Sequence, residues 1–232
     1  MHDKIELLSK HFLFQSLDGE AIEEIAKLFK ERHAKRGQSL FMKGDKCHEM
    51  MLVVEGTVHI LANSPDGKEV ILNAIGPGGI IGELALLDGK PRSAQADVVK
   101  DCRMLVITRS DFMGLLRQKP GLTIQLMSLL CQKLRDASSL IENIALNEIP
   151  VRLAQFLLKE TKVDLAKIKA NETFILEHTQ TKIGNFIGSG RERVNKVLHE
   201  WENKAIISIA PDNRTVTILN PNAIKEIAAN LS

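Results

Sequence analysis

The 232-residue chain lacks long hydrophobic runs, has few cysteines and carries almost no charge imbalance; each shortage excludes something. Its longest nearly uncharged stretches, such as Ile71 to Gly82, fall far short of about 18 apolar residues and contain Gly and Pro, which excludes a membrane-spanning helix. The start, MHDKIELLSK, is charged throughout and does not read as a signal peptide. The three cysteines, Cys47, Cys102 and Cys131, are isolated and odd in number, so they form neither a disulfide framework nor a spaced metal set. A reducing cytoplasm is the expected location. A net charge of +2 gives no whole-chain sign of a nucleic-acid partner. What is present is apolar material: 44% hydrophobic residues exclude a disordered chain, and the length suits one large or two modest domains.

Ahead of Gly37 an amphipathic helix is expected over Asp18 to Glu31, with Ile22, Ile25, Ala26 and Phe29 on one face. From about Gly37 to Arg109 the chain reads as short strands punctuated by glycine. The strands are Ser39–Phe41, Met50–Val54, Thr57–Leu61, Val70–Leu72 and Met104–Ile107. Turns fall at Lys43-Gly44-Asp45, Glu55-Gly56, Ser64-Pro65-Asp66-Gly67 and Gly76-Pro77-Gly78-Gly79. Such spacing suggests a sandwich or barrel. From Pro120 to about Asn147 one long helix is predicted. Met127, Leu130, Leu134, Ala137, Ile141 and Ile144 recur on it in steps of three and four, a coiled-coil seam that points to a homodimer. Pro150 disfavours helical geometry at Ile149, which makes Asn147 to Pro150 a candidate hinge.

Beyond Pro150 a helix opens over Val151–Leu158, Phe174–Leu176 reads as a strand, and two helices follow, Thr179 to Gly188 and Ser189 to Glu202. Ile206–Ile209 and Thr215–Leu219 pair around Pro211-Asp212-Asn213-Arg214, which completes a winged helix-turn-helix. Ile183, Phe186, Ile187, Val194, Val197, Leu198 and Trp201 should face inward. Arg191, Glu192, Asn195 and Lys196 then face outward with the chemistry of base readers: Arg forks onto guanine, Glu accepts from cytosine, and Lys supplies a point charge. Arg193 is expected on a phosphate, and Ser189 as the cap of the second helix; Thr179 and Gly190, flanking these helices, complete the candidate DNA contacts. Residues 150–232 hold 12 basic and 9 acidic side chains against 19 and 20 in the remainder, so the basic surplus lies with the reader.

A second chemical centre is Gly82-Glu83-Leu84-Ala85 followed by Pro91-Arg92-Ser93-Ala94. Glu83 to Leu87 should form a short helix, Gly82 allows close backbone approach, and Arg92 and Ser93 offer a guanidinium and a hydroxyl to a phosphate. Glu83 would repel a bare phosphate but suits a ligand that also carries a hydroxyl. A Glu83–Arg92 surface ion pair is the plain alternative.

These residues resemble the phosphate-binding cassette of cyclic-nucleotide-binding domains. Gly44-Asp45 and Val53-Val54-Glu55-Gly56-Thr57-Val58 are similar to that domain's strand and turn signature. Ile183–Gly188 with Arg191-Glu192-Arg193-Val194 resembles the helix-turn-helix of the cyclic AMP receptor protein/FNR family, and the order of parts matches over nearly the whole chain. The resemblance implies an α+β protein: a jelly-roll-like β-roll effector domain (1–119), a dimerisation helix and hinge (120–149) and a winged helix-turn-helix (150–232). It also implies cyclic AMP as effector, palindromic double-stranded DNA and RNA polymerase as partners, no metal, no membrane and no enzymatic activity. Glu83 then falls on the ribose hydroxyl, Gly82, Leu84 and Ala85 line the cassette, Arg92 and Ser93 meet the cyclic phosphate, and Ile60 and Leu72 touch the purine. Ala137-Ser138 stands where the family has a Thr-Ser pair on the adenine. Arg191 and Glu192 match the family's base readers; Lys196 replaces a second Arg, which implies a TGTGA-like half-site with its outer guanine read less firmly. No cysteine precedes Cys47, unlike the iron–sulfur relatives. The competing expectation is a regulator of the same fold that senses a haem-bound gas, an organic acid or thiol oxidation. A phosphodiesterase is disfavoured, because the cassette offers only one acid and no His/Asp cluster.

Overall fold

A computed structural model describes residues 2–65, 67–161, 169–212 and 214–229; Asp66 and Asn213, assigned above to turns, lie outside the described residues. The chain divides into two units, Met1–Ala137 and Ser138–Ser232.

The first unit is built on an antiparallel sheet ordered β1-β6-β3-β4, with β2 added on β6 and β5 on β3. Its strands are β1 (Lys30–Ala34), β2 (Ser39–Phe41), β3 (Glu49–Asn63), β4 (Glu69–Ile75), β5 (Ile80–Ile81) and β6 (Gln95–Thr108). The apolar runs in β3 and β6 are continuous because both faces of the sheet are buried. Met50, Leu52, Leu105 and Ile107 pack against helices α1 (His2–Lys10), α2 (Gly19–Leu28), α4 (Arg109–Gln118) and the start of α5 (Pro120–Leu146). Met51, Val53, Met104 and Val106 fill the opposite side with Val58, Ile81 and Val98.

Several expected boundaries shift. The helix over Asp18 to Glu31 is shorter: Asp18 is its N-cap, accepting from Ala21 N at 2.8 Å, and Lys30 and Glu31 already pair with Val106 and Leu105 in the sheet. Such a cap contributes about 1 kcal/mol. The two strands expected either side of Glu55-Gly56 are one strand. Gly56, at φ +92°, lets β3 bulge rather than turn; a Cβ there would overlap the Asp101 carbonyl oxygen on β6. Helices α1, α4 and α9 (Pro221–Ala229) were not anticipated. Helix α5 runs as predicted, and Met127, Leu134 and Ile141 on its seam are 60–69% exposed in the single chain. Ile149, expected to avoid helical geometry, instead opens the next helix with Pro150 in its first turn, where proline has no helical N–H to lose.

In the second unit α6 (Ile149–Thr161), α7 (Gln180–Ile187), α8 (Arg191–Asn203) and α9 pack with the sheet β7-β9-β8, formed by β7 (Glu172–Ile175), β9 (Thr215–Ile218) and β8 (Ile207–Ile209). Ile183, Ile187, Val194, Val197, Leu198 and Trp201 are buried in this core, as the spacing predicts, and Phe186 packs against it. The helix-turn-helix with its strand pair is therefore present. No helix among the described residues is long and apolar enough to cross a membrane.

The N-terminal segment is tied down by His11, 7% exposed, whose Nε2 lies 2.9 Å from Gly78 O while Nδ1 accepts from Leu13 N–H at 3.2 Å. This pair of partners needs the neutral ring with its proton on Nε2. Burial holds the His11 pKa below its ordinary value, opposed by the bond to Gly78. On acidification the unfolded chain therefore takes up a proton before the folded one does, and stability falls as pH falls. Between about pH 7.5 and about pH 5.5 the thermal midpoint of the wild type should drop further than that of His11→Gln, which cannot titrate there. Equal drops would show that His11 is not the titrating group.

Candidate functional site

The cassette is assembled where β5 ends. Gly82 follows Ile81 with φ +84° and caps the short helix α3 (Glu83–Asp88), and a Cβ at Gly82 would overlap the Arg92 guanidinium. The segment carrying Arg92 is pinned to the loop before β3 by main-chain bonds, Arg92 N to Asp45 O and Gly44 N to Arg92 O, each 2.9 Å. Gly44-Asp45, far upstream of Arg92 in the chain, thus fixes the arginine's backbone.

Arg92 is only 5% exposed. Nη1 donates to Gly82 O at 3.0 Å and Nη2 to Glu49 O at 2.8 Å, Phe41 lies 4.1 Å beneath the guanidinium, and Nε is buried without a hydrogen-bond partner. No carboxylate among the described residues lies within ion-pair distance of it. The Glu83–Arg92 pair considered above is not formed. Glu83, itself 3% exposed, accepts instead from Lys133 Nζ at 2.7 Å, and Lys133 also donates to Ile80 O at 3.0 Å. A buried carboxylate is thus neutralised and a buried guanidinium is not. Burying a charge without a counter-charge costs several kcal/mol, so the arrangement favours an anion that would face Arg92. Lys133 was missed from sequence because it stands 50 positions from Glu83 on a different element; the only local signal was a cation one turn before the exposed Ala137.

The remaining predicted ligand residues fall as follows. Ala85 is buried in α3, while Leu84 and Ser93 are exposed beside it. Ile60 and Leu72 lie on the paired strands β3 and β4 at a register shift, half-buried and exposed respectively. Ala137 and Ser138 are exposed on α5.

In the second unit the turn between α7 and α8 presents the other cluster. Thr179 caps α7 by accepting from Lys182 N at 3.3 Å. The cap of α8 is Gly190, not Ser189; Ser189 is buried one position earlier, where its N–H donates to Gly184 O at 2.8 Å, and its hydroxyl has no partner. Arg191, Glu192, Arg193 and Lys196 are all exposed, and Asn195 is half-buried with its Oδ1 unpartnered. Among the described residues the three cations form no ion pair. Arg152 donates to Ile187 O at 2.6 Å, at the C-terminal end of α7; burial and then the nearby Arg193 charge push its pKa down. A cationic leading edge with free donors can meet a polyanionic backbone and base edges.

Comparison with known proteins agrees with this geometry. The family described as Cyclic nucleotide-binding domain matches residues 31–119, and the Crp-like helix-turn-helix domain matches residues 151–227. The Cyclic AMP receptor protein of Thermus thermophilus is 30% identical over 220 residues, covering 95% of this chain and 98% of the relative. The crystal structure of the Catabolite Activator Protein of Thermus thermophilus superimposes with a TM-score of 0.53 at 29% identity, covering 95% of this chain and 100% of that one. The c-di-GMP responsive regulator CLP of Xanthomonas campestris shares the fold, with a TM-score of 0.75 at 19% identity over 87% of this chain and 99% of that one.

The overlap at Gly82 yields a direct stability test. Gly82→Ala forces a left-handed residue and displaces Arg92, and should cost about 1–3 kcal/mol in urea unfolding. A loss below about 0.5 kcal/mol, the level of an ordinary surface change, would contradict the close approach.

Proposed function

The chain belongs to the CRP/FNR family of transcription regulators, and from that premise we propose that it is a homodimer switched by cyclic AMP at a TGTGA-like palindrome. The observation that carries the reading is Arg92, a buried guanidinium with no carboxylate opposite it among the described residues. In this reading residues 1–119 bind the effector, 120–149 dimerise and hinge, and 150–232 read DNA.

The cyclic phosphate meets Arg92 and the exposed Ser93 hydroxyl, with Gly82 leaving room for its approach. Glu83 accepts from the ribose hydroxyl, and the Lys133 contact at 2.7 Å holds that carboxylate in place. Leu84 and Ala85 wall the cassette, Ile60 and Leu72 supply apolar surface for the purine, and Ala137 and Ser138 meet the adenine from α5. The exposed seam on α5 pairs with that of a second copy. Nucleotide extends this coiled coil through residues 147–150 and sets two α8 helices about 34 Å apart, one per major groove. There Arg191 forks onto guanine, Glu192 accepts from cytosine, Asn195 and Lys196 read beside them, and Arg193 with Thr179, Ser189 and Gly190 meets the backbone. RNA polymerase is the partner this arrangement would serve.

Cyclic AMP supports the reading better than cyclic di-GMP because the charge pattern provides one uncompensated cation for one phosphate. In calorimetric titration the wild type should bind cyclic AMP, and Arg92→Ala should lose roughly 10- to 100-fold in affinity, the worth of a charged hydrogen bond. No binding by the wild type, or preference for cyclic di-GMP, would contradict the effector assignment. At one stated salt concentration, binding to a palindromic TGTGA duplex should tighten with cyclic AMP; identical affinity with and without it would contradict the switch.

A further inference from the structure

The three thiols differ in their surroundings. Cys102 is buried, and burial raises its pKa; Cys131 is exposed on α5. Cys47 is half-buried in the loop before β3, with Sγ 3.6 Å from Glu49 O and 3.9 Å from Gly82 O. These are the same two carbonyl oxygens that Arg92 Nη2 and Nη1 hold at 2.8 and 3.0 Å. Thiol and guanidinium therefore converge on one small site, with the Phe41 ring stacked on the cation. Independently of the thiol, that guanidinium points to an anionic ligand: it is 95% buried, and its Nε has no partner. Cys47 also packs against the edge of the apolar core; what sets it apart from the other two thiols is partial exposure beside a guanidinium, a setting in which cysteines react selectively.

We propose that Cys47 is a thiol-modification site inside the effector cassette, where it takes a small anionic disulfide drawn by Arg92, and that the resulting adduct and the nucleotide exclude one another. The proposal rests on the reading that Arg92 holds the effector phosphate. The Cys47 thiol gives its proton to water, and its sulfur attacks one sulfur of the disulfide RS–SR. A new S–S bond forms on Cys47 as the old one breaks, and RS⁻ departs with the bonding electron pair and takes up a proton. Cys47 is oxidised and half of the reagent is reduced to thiol; a free small thiol reverses the exchange. An adduct on Sγ lies within reach of Gly82 O and beside Arg92, where the cyclic phosphate would approach. The thiol redox state of the surroundings would then set how much of the protein can respond to its effector.

The test uses the full chain carrying Cys131→Ser. It is treated separately with dithiobis(nitrobenzoate), a dicarboxylate, and with neutral dithiodipyridine, and peptide mass spectrometry assigns each adduct to Cys47 or Cys102. With cyclic AMP at about ten times its Kd, modification of Cys47 should slow about tenfold. In Arg92→Ala the anionic-to-neutral rate ratio at Cys47 should fall about fivefold, the effect of one unit charge about 4 Å away in water-like surroundings. Loosened packing would speed both reagents together and leave this ratio unchanged. Equal Cys47 rates with and without cyclic AMP, in protein that calorimetry shows to bind it, would overturn the proposal. If the protein binds no cyclic nucleotide, the effector reading fails on its own. The ratio then still decides: unchanged in Arg92→Ala it overturns the site, and a fall sustains it.

Discussion

Arg92 sits out of water with no carboxylate among the described residues within ion-pair distance, and its neighbours are arranged to tolerate that charge. Two carbonyl oxygens, those of Gly82 and Glu49, accept from its terminal nitrogens, and the Phe41 ring lies against its face. These contacts satisfy hydrogen bonds and offer some cation–π attraction, but they supply no counter-charge. Gly82 is required because any side chain there would fill the space the guanidinium occupies. The loop containing Gly44-Asp45 is required because its main chain anchors the arginine's backbone. The sheet's two-sided burial gives this arrangement a rigid base: Met50 and Leu52 face one core, Met51 and Val53 the other, so β3 cannot rotate or slip without exposing both.

Glu83 shows the complementary solution. Its carboxylate, as buried as the guanidinium, is matched by Lys133. Because Lys133 belongs to α5, this ion pair fastens the cassette to the helix whose Met127, Leu134 and Ile141 remain exposed. A ligand hydroxyl that engages Glu83 therefore acts on a group already bonded to α5. That gives a physical route from an occupied cassette to the helix, through one ion pair rather than through a general change of shape.

How much of this could be read from sequence depended on distance along the chain. Gly82, Glu83 and Arg92 were legible together because an 11-residue segment holds all three, and Arg191 to Lys196 were legible because they share a turn and a half of helix. The inward positions of α7 and α8 followed from helical spacing alone. Lys133 was not legible, since a partner 50 residues away is chosen by packing that no local pattern records. Gly56 was misread for a related reason: a glycine between apolar runs signals a turn, and only the pairing with β6 converts it into a bulge. Lys30 and Glu31 continued the helical pattern of α2, but the sheet claimed them. Ser189 carried the right chemistry for a cap one residue too early.

If Arg92 is a cation that an anionic ligand completes, thermal unfolding with cyclic AMP and with adenosine tests that role most directly. The two share base and ribose and differ in the cyclic phosphate. At about 100 times its Kd cyclic AMP should add about 2.7 kcal/mol of stability and raise the midpoint, while adenosine at the same concentration should leave it nearly unmoved. An equal rise with adenosine would mean that the phosphate is not what the site is built to hold, and would contradict the role given to Arg92.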